Sequence, residues 1–336
     1  MLNLASHSIF IALLSATGPR SHNPCAAPVA GRLVPADFVG GRIFARWQLH
    51  NTHELRFYLD TGGNVTIFED ATPRLGVKPD SITRGGNTFA RVLVSGLLGD
   101  STFPPIAGFH PDPRPTDTVR VMVWPDTPPD FQAGFRVDGI LGAYWFADRV
   151  WIIDYPHRRL YYNGSAPVGL ASAACWVSLG FQVDSASGRR TTQFPRIAAR
   201  IDNVVIEFLV DIGARTTLTP DALRVIADSE PPQRAASFIT RERFEEWRNR
   251  HPDWLVIPHA EEGDSAAMIR VPAIQIGDQV IKSVWFTVRP DSSFRHFMSQ
   301  YMDRPVEGAL GGTAWKHVTL ILDYPRARAA VGESAP

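Results

Sequence analysis

The sequence predicts a mostly β fold made of two related lobes, with a helical insertion in the second. Three observations lead there. First, the 27 prolines and 26 glycines are spread along all 336 residues, which favours short strands joined by turns over long helices. Second, an apolar strand runs into an acid twice, as Phe57-Tyr58-Leu59-Asp60-Thr61-Gly62 and as Phe208-Leu209-Val210-Asp211-Ile212-Gly213. Third, a later pattern also returns. Val137-Asp138-Gly139-Ile140-Leu141-Gly142-Ala143 leads to Ile153-Asp154-Tyr155-Pro156, and Val306-Glu307-Gly308-Ala309-Leu310-Gly311-Gly312 leads to Leu322-Asp323-Tyr324-Pro325. The interval from Gly142 to Asp154 equals that from Gly311 to Asp323.

In chain order, residues 1–31 form a leader. Its apolar run, residues 9–14, is too short to span a bilayer, and no Lys or Arg precedes it. It reads either as the apolar part of a secretory signal or as a loosely packed segment. The first alternative implies a periplasmic or secreted protein. The first lobe is expected over 32–165, with strands at 41–49 and 55–59, the second delivering Asp60. Further strands follow at 65–68, 90–94 and 119–123, the 90–94 strand introduced by a hairpin turn at Gly85-Gly86-Asn87. A buried strand at 150–154 and a short one at 159–162 close the lobe. Small and turn-forming residues make 166–175 the linker.

The second lobe, 176–332, opens with strands at 194–201 and 204–210, the latter delivering Asp211. Thr219-Pro220 is a helix start, with a capping hydroxyl before proline at the first helical position. A second helix over 240–250 buries Phe244 and Trp247 and stops before Pro252. Neither helix has an obvious counterpart in the first half. Strand signals resume at 267–271, 273–276 and 284–288.

Lys and Arg together number 34, as do Asp and Glu. A chain with no net charge has no field to gather nucleic acid or an acidic membrane surface. The two cysteines, Cys25 and Cys175, fit no metal spacing. They form either one disulfide in an oxidising compartment or two structural thiols. Neither a metal nor another cofactor is implied, and the chain is expected to act as a monomer.

A single Asp-Thr-Gly is a common turn, but the repeated order of strand, Asp-x-Gly, apolar-apolar-Gly and Asp-Tyr-Pro is specific. On those motifs the chain, from about Arg32 to Val331, resembles the two-lobed aspartic peptidases of pepsin and retropepsin type. The resemblance implies two β lobes about a pseudo-twofold axis, with the Asp-x-Gly loops meeting at the floor of a cleft. It implies that Asp60 and Asp211 are the catalytic pair and that Thr61, Gly62, Ile212 and Gly213 support their loops. The substrate would be a peptide or protein lying extended across the cleft, cut by endoproteolysis. Two adjacent carboxyls share one proton, so one can activate water while the other polarises the scissile carbonyl. A flap is expected over 83–99, although this chain lacks the tyrosine of pepsin flaps.

Two departures bear on activity. Ile212 stands where the family carries a threonine whose hydroxyl reaches the opposite loop, which favours an alternative: a two-lobed peptide-binding protein with weak or no hydrolysis. Gly63 and Ala214 stand where pepsin-type enzymes place a hydroxyl residue. The dyad should therefore hold its proton to higher pH.

Other polar residues are assigned structural places. Asp154 and Asp323 are expected to form turns, and His259, Glu261, Glu262 and Asp264 to lie on a solvated loop. Trp145, Trp151 and Trp315 are expected in the core. Asp138 and Glu307 match each other in the repeat and form a polar edge to the bracing segments.

Overall fold

The computed structural model describes residues 31–49, 53–93, 104, 120–125, 127–128, 131, 133–163 and 175–332. The leader up to residue 30 with Cys25, most of the linker and the end of the expected flap lie outside these residues.

Period-two alternation sorts the strands' side chains between two environments. On Arg42–Leu49, the residues Ile43, Ala45, Trp47 and Leu49 enter the main core, while Phe44 turns to the other face. On His53–Asp60, Leu55, Phe57 and Leu59 enter the same core and Tyr58 joins Phe44, Phe68 and Phe131 in a separate aromatic cluster. Each fully buried side chain of this size contributes about 1.5–3 kcal/mol. The same alternation fixes register, since a slip of one residue would put every core residue on the wrong face. Asp60, two residues beyond Tyr58, therefore projects on the aromatic side.

The repeat seen in the sequence is a repeat of topology. In the first lobe the strand order runs Arg42–Leu49, His53–Asp60, Gly139–Gly142, Thr66–Phe68, Arg120–Trp124, Asn87–Leu93, Asp80–Arg84, with Ala36–Val39 added at one edge. In the second it runs Arg196–Ile201, Val204–Val210, Gly308–Leu310, Phe238–Thr240, Gln279–Arg289, Met268–Ile276, Val256–Ile257. Position by position the two orders agree. So do the directions: the Asp-bearing strand pairs in parallel with the apolar-apolar-Gly segment in each lobe. That segment pairs antiparallel with its next neighbour, again in both.

A third sheet joins the lobes. Val150–Asp154 of the first pairs antiparallel with Thr319–Asp323 of the second. Arg159–Tyr162 and Arg32–Val34 extend it on one side, Arg328–Gly332 and Trp176–Ser178 on the other. Trp145, Trp151 and Trp315 are fully buried, as expected. Their indole N–H groups donate to backbone carbonyls, including those of Pro104, Phe146 and Leu310. Asp154 and Asp323 close the turns after their strands, accepting from the backbone N–H of His157 and Arg326.

Two expectations change. The helix Arg241–Arg250 is not without counterpart: it follows Phe238–Thr240 as the 3-10 turn Glu69–Ala71 follows Thr66–Phe68. The first-half version is a single turn, too short to leave a helical period in the sequence. The helix Pro220–Ile226, capped by Thr219, with the two-stranded sheet of Arg215–Thr217 and Gln233–Ala235, has no counterpart among the described residues of the first lobe. The signals at 267–271 and 273–276 are one strand, Met268–Ile276, running through Pro272.

The hairpin of Asp80–Arg84 and Asn87–Leu93 turns at Gly85 and Gly86, both at positive φ (57° and 80°). That is the two-residue turn whose twist suits paired strands, and glycine adopts it without strain. Among the described residues no helix is long and apolar enough to cross a membrane.

Candidate active site

Each Asp-x-Gly loop begins where its strand ends. Asp60 lies opposite Gly142 at the end of the parallel pairing, and the Asp211 N–H donates to Leu310 O at 2.9 Å. The loops then fold in the same way. Gly62 N–H donates to Asp60 Oδ1 and Gly213 N–H to Asp211 Oδ1, both at 2.9 Å. Gly63 N–H returns to Asp60 O at 3.2 Å, Ala214 N–H to Asp211 O at 3.1 Å. Each carboxyl lies over the glycine of the opposite loop, close enough for the two to influence each other's titration.

The glycines are what let the loops meet. A Cβ on Gly62 would lie 2.5 Å from Asp211 Cγ, and one on Gly213 would lie 2.3 Å from Asp60 Cγ. Each glycine thus seats the opposite carboxyl. Gly63 has a different neighbour, since a Cβ there would fall 2.5 Å from Asp60 Oδ2.

Across the interface Thr61 has no hydroxyl opposite it at Ile212. Its Oγ1 donates to Val210 O at 2.7 Å and accepts from Ile212 N–H at 3.0 Å. Ile212 is fully buried and packs into the main core. A second contact runs in the same direction: the Tyr58 hydroxyl donates to Gly213 O at 2.9 Å. Sequence reading overlooked Tyr58. The available signal was a hydroxyl-bearing aromatic in an apolar strand, two residues before the Asp and so on its face.

Burial is the largest influence on both acids and pushes their pKa values up, Asp211 well above the usual carboxylate range. The carboxyl of Asp60 adds to the rise at Asp211, and the Arg215 guanidinium opposes it at both. Arg215 lies 3.8 Å from the ring centre of Phe131 and 5.8 Å from that of Tyr58. In the repeat its position belongs to exposed Asn64.

The dyad opens into a cleft of about 400 Å³ whose wall includes Arg215, Thr216, Phe238 and Arg289. Here the expected solvated loop is corrected at one residue. Glu261 is 7 % exposed, accepts from Thr216 Oγ1 at 2.8 Å and is bound by both terminal nitrogens of Arg289. A buried carboxylate without such partners would be unstable, so Glu261 turns inward to them. His259, Glu262 and Asp264 are exposed as expected, and no cluster of three metal-binding side chains occurs among the described residues.

Asp138 and Glu307 do more than edge the braces. Asp138 accepts from Arg56 N–H at 2.8 Å and pairs with Arg74 and Arg136. Glu307 accepts from Thr240 Oγ1 at 2.8 Å and from Arg295. Both tie a bracing segment to its neighbours just before the apolar-apolar-Gly turn.

An aspartic proteinase from Irpex lacteus superposes with a TM-score of 0.48 at 12 % identity, over 91 % of this chain and 98 % of that one. No protein-family model and no curated protein matches the sequence.

Proposed function

We infer that the chain is an aspartic endopeptidase, with Asp60 and Asp211 as its catalytic pair. The observation that carries this is the pairing of two carboxyls at the floor of a cleft, each bonded to the N–H of its own loop's glycine, each seated on the opposite loop's glycine and each with a raised pKa. Two such groups cannot both ionise easily, and the pair titrates as a unit with one proton between them. In that form the ionised oxygen takes a proton from water as the water attacks the scissile carbonyl carbon. The protonated oxygen donates to the carbonyl oxygen, giving a gem-diol. One carboxyl then gives its proton to the amide nitrogen while the other takes a proton from a gem-diol hydroxyl; the C–N bond breaks, acid and amine are released, and the pair is again singly protonated.

Thr61, Gly62, Ile212 and Gly213 serve the pair by position: the glycines admit the opposite carboxyl, Thr61 clasps the second loop, and Ile212 anchors it in the core. The substrate is a peptide segment bound extended along the cleft. The second reading, a peptide-binding protein with little hydrolysis, is favoured by Ile212 alone, whose side chain offers no hydroxyl to the first loop.

One experiment separates them. Purified protein is incubated with a peptide library across a range of pH, with Asp60→Asn as control. Endopeptidase activity predicts internal cleavage by wild type and none by the variant. Saturable binding of peptides by both proteins without cleavage by either would establish the second reading.

A further inference from the structure

We propose that Tyr58 is a positioning residue for the Asp60–Asp211 pair, its hydroxyl replacing the cross-lobe clasp that Ile212 cannot make. Given that pair as the reacting one, the argument starts from an imbalance. In a symmetric arrangement each loop would offer one hydroxyl to the other. Here only Thr61 does, donating to Val210 O and accepting from Ile212 N–H.

The Tyr58 hydroxyl supplies a further cross-lobe bond, and its acceptor is Gly213 O, in the same second loop. Gly213 is the residue whose missing Cβ seats Asp60 and whose N–H holds Asp211. A bond to its carbonyl fixes the peptide unit that follows, and so restrains the glycine that faces both carboxyls. The position equivalent to Tyr58 in the second lobe is Leu209, which has no hydrogen-bonding group. The two departures, a hydroxyl gained at 58 and one absent at 212, complement each other.

The surroundings suit a fixed donor. The Tyr58 side chain is fully buried, its ring tilted on Phe44 at 5.2 Å and edge-on to Phe131 at 5.1 Å. The charged and titratable groups that face it are Asp60, Asp211, Arg42, Arg215 and Tyr155. Burial raises its phenol far above the ordinary range, so the proton stays on and the bond to the carbonyl persists at every working pH.

The test compares wild type, Tyr58→Phe, and Tyr58→Phe with Ile212→Thr. Phenylalanine keeps the ring contacts and removes only the hydroxyl. Two readouts are taken: kcat and KM on one peptide, and titration of the aspartate carboxyls by 13C NMR. In Tyr58→Phe, kcat should fall about tenfold with KM held within about twofold. The upper titration step of the pair should move down, because loosened loops let the carboxyls part. Adding the threonine should return both quantities most of the way to wild type.

Unchanged kcat and unchanged titration in Tyr58→Phe would overturn the proposal. So would a loss that the threonine, in a folded double variant, leaves unrepaired. If the double variant does not fold, the titration of Tyr58→Phe alone decides. A wild type that cleaves nothing would defeat the peptidase reading, while the NMR arm would still test the clasp.

Discussion

The first loop, Asp60-Thr61-Gly62-Gly63, and the second, Asp211-Ile212-Gly213-Ala214, agree in one respect and differ in another. The acids, the N–H groups that hold them and the glycines that seat the opposite carboxyl are equivalent to within a few tenths of an ångström. The supports are not. The first lobe gives Thr61 and Tyr58 to the second. The second lobe carries a network of its own on the cleft wall, just past its loop, in Thr216, Glu261 and Arg289. The proposed chemistry needs two matched carboxyls, and that is the part kept symmetric. Loop support can be met in many ways, and there the lobes have diverged.

Replacing either acid should have the largest effect. Asp60→Asn and Asp211→Asn should each cut kcat/KM by about 10²–10⁴-fold or more, measured on one peptide by initial rates. A wide inequality between the two variants would break the equivalence of the loops. The ion pair on the second lobe's cleft wall comes next. Glu261→Gln leaves Arg289 without its counter-charge in a site where the side chains are 9 % and 19 % exposed. Breaking a buried pair in this way costs about 3–5 kcal/mol, readable by denaturant unfolding. A loss under 1 kcal/mol would show the pair to be dispensable.

A smaller effect separates Gly63 from Ala214. Gly63→Ala forces a Cβ towards Asp60 Oδ2, and overpacking of this kind costs about 1–3 kcal/mol. Ala214→Gly removes only one buried methyl. Equal unfolding midpoints for the two variants would show that the loops tolerate the same residue after all.

The smallest shift is in pH. Both dyad pKa values lie above the ordinary 3.8, so the native state holds more protons than the unfolded one between that value and the raised ones. Stability therefore falls as pH rises through this window. Asp211→Asn should unfold at a higher temperature than wild type at neutral pH, with the gap closing below about pH 4. Activity should peak in weakly acidic to near-neutral solution. Ala214→Ser, by donating to the ionised form, should move the profile of kcat/KM down by about one unit. An upward shift would break the account of what separates these loops from hydroxyl-bearing ones.

The repeat was legible because it is written in residues with few substitutes. Asp60 and Asp211, the glycines after them and the two apolar-apolar-Gly segments each answer to a geometric demand that little else meets. Strand positions followed from alternation, as at Arg42–Leu49. What escaped were contacts between residues far apart in sequence. Tyr58 reads as one more apolar strand residue until Gly213 is known to lie above it. Arg215 reads as a surface cation until Phe131 is found beneath it. Glu261 sits among exposed acids, and only the approach of Arg289 separates it from Glu262. The counterpart of the helix Arg241–Arg250 was hidden for another reason, since a single 3-10 turn has no period to detect.

The sheet beneath the lobes has a consequence for how the chain is made. Its central pair joins Val150–Asp154 to Thr319–Asp323, so the first half leaves the ribosome with an apolar strand, Val-Trp-Ile-Ile-Asp, open along one edge. Only Arg159–Tyr162 covers the other side until the late strands arrive. An uncovered edge of this composition invites pairing with another chain, and contacts this distant in sequence form slowly. Nascent chains are thus most exposed to misassembly midway through synthesis. A first lobe produced by itself should emerge as aggregate, and adding the missing strands in trans should restore its solubility.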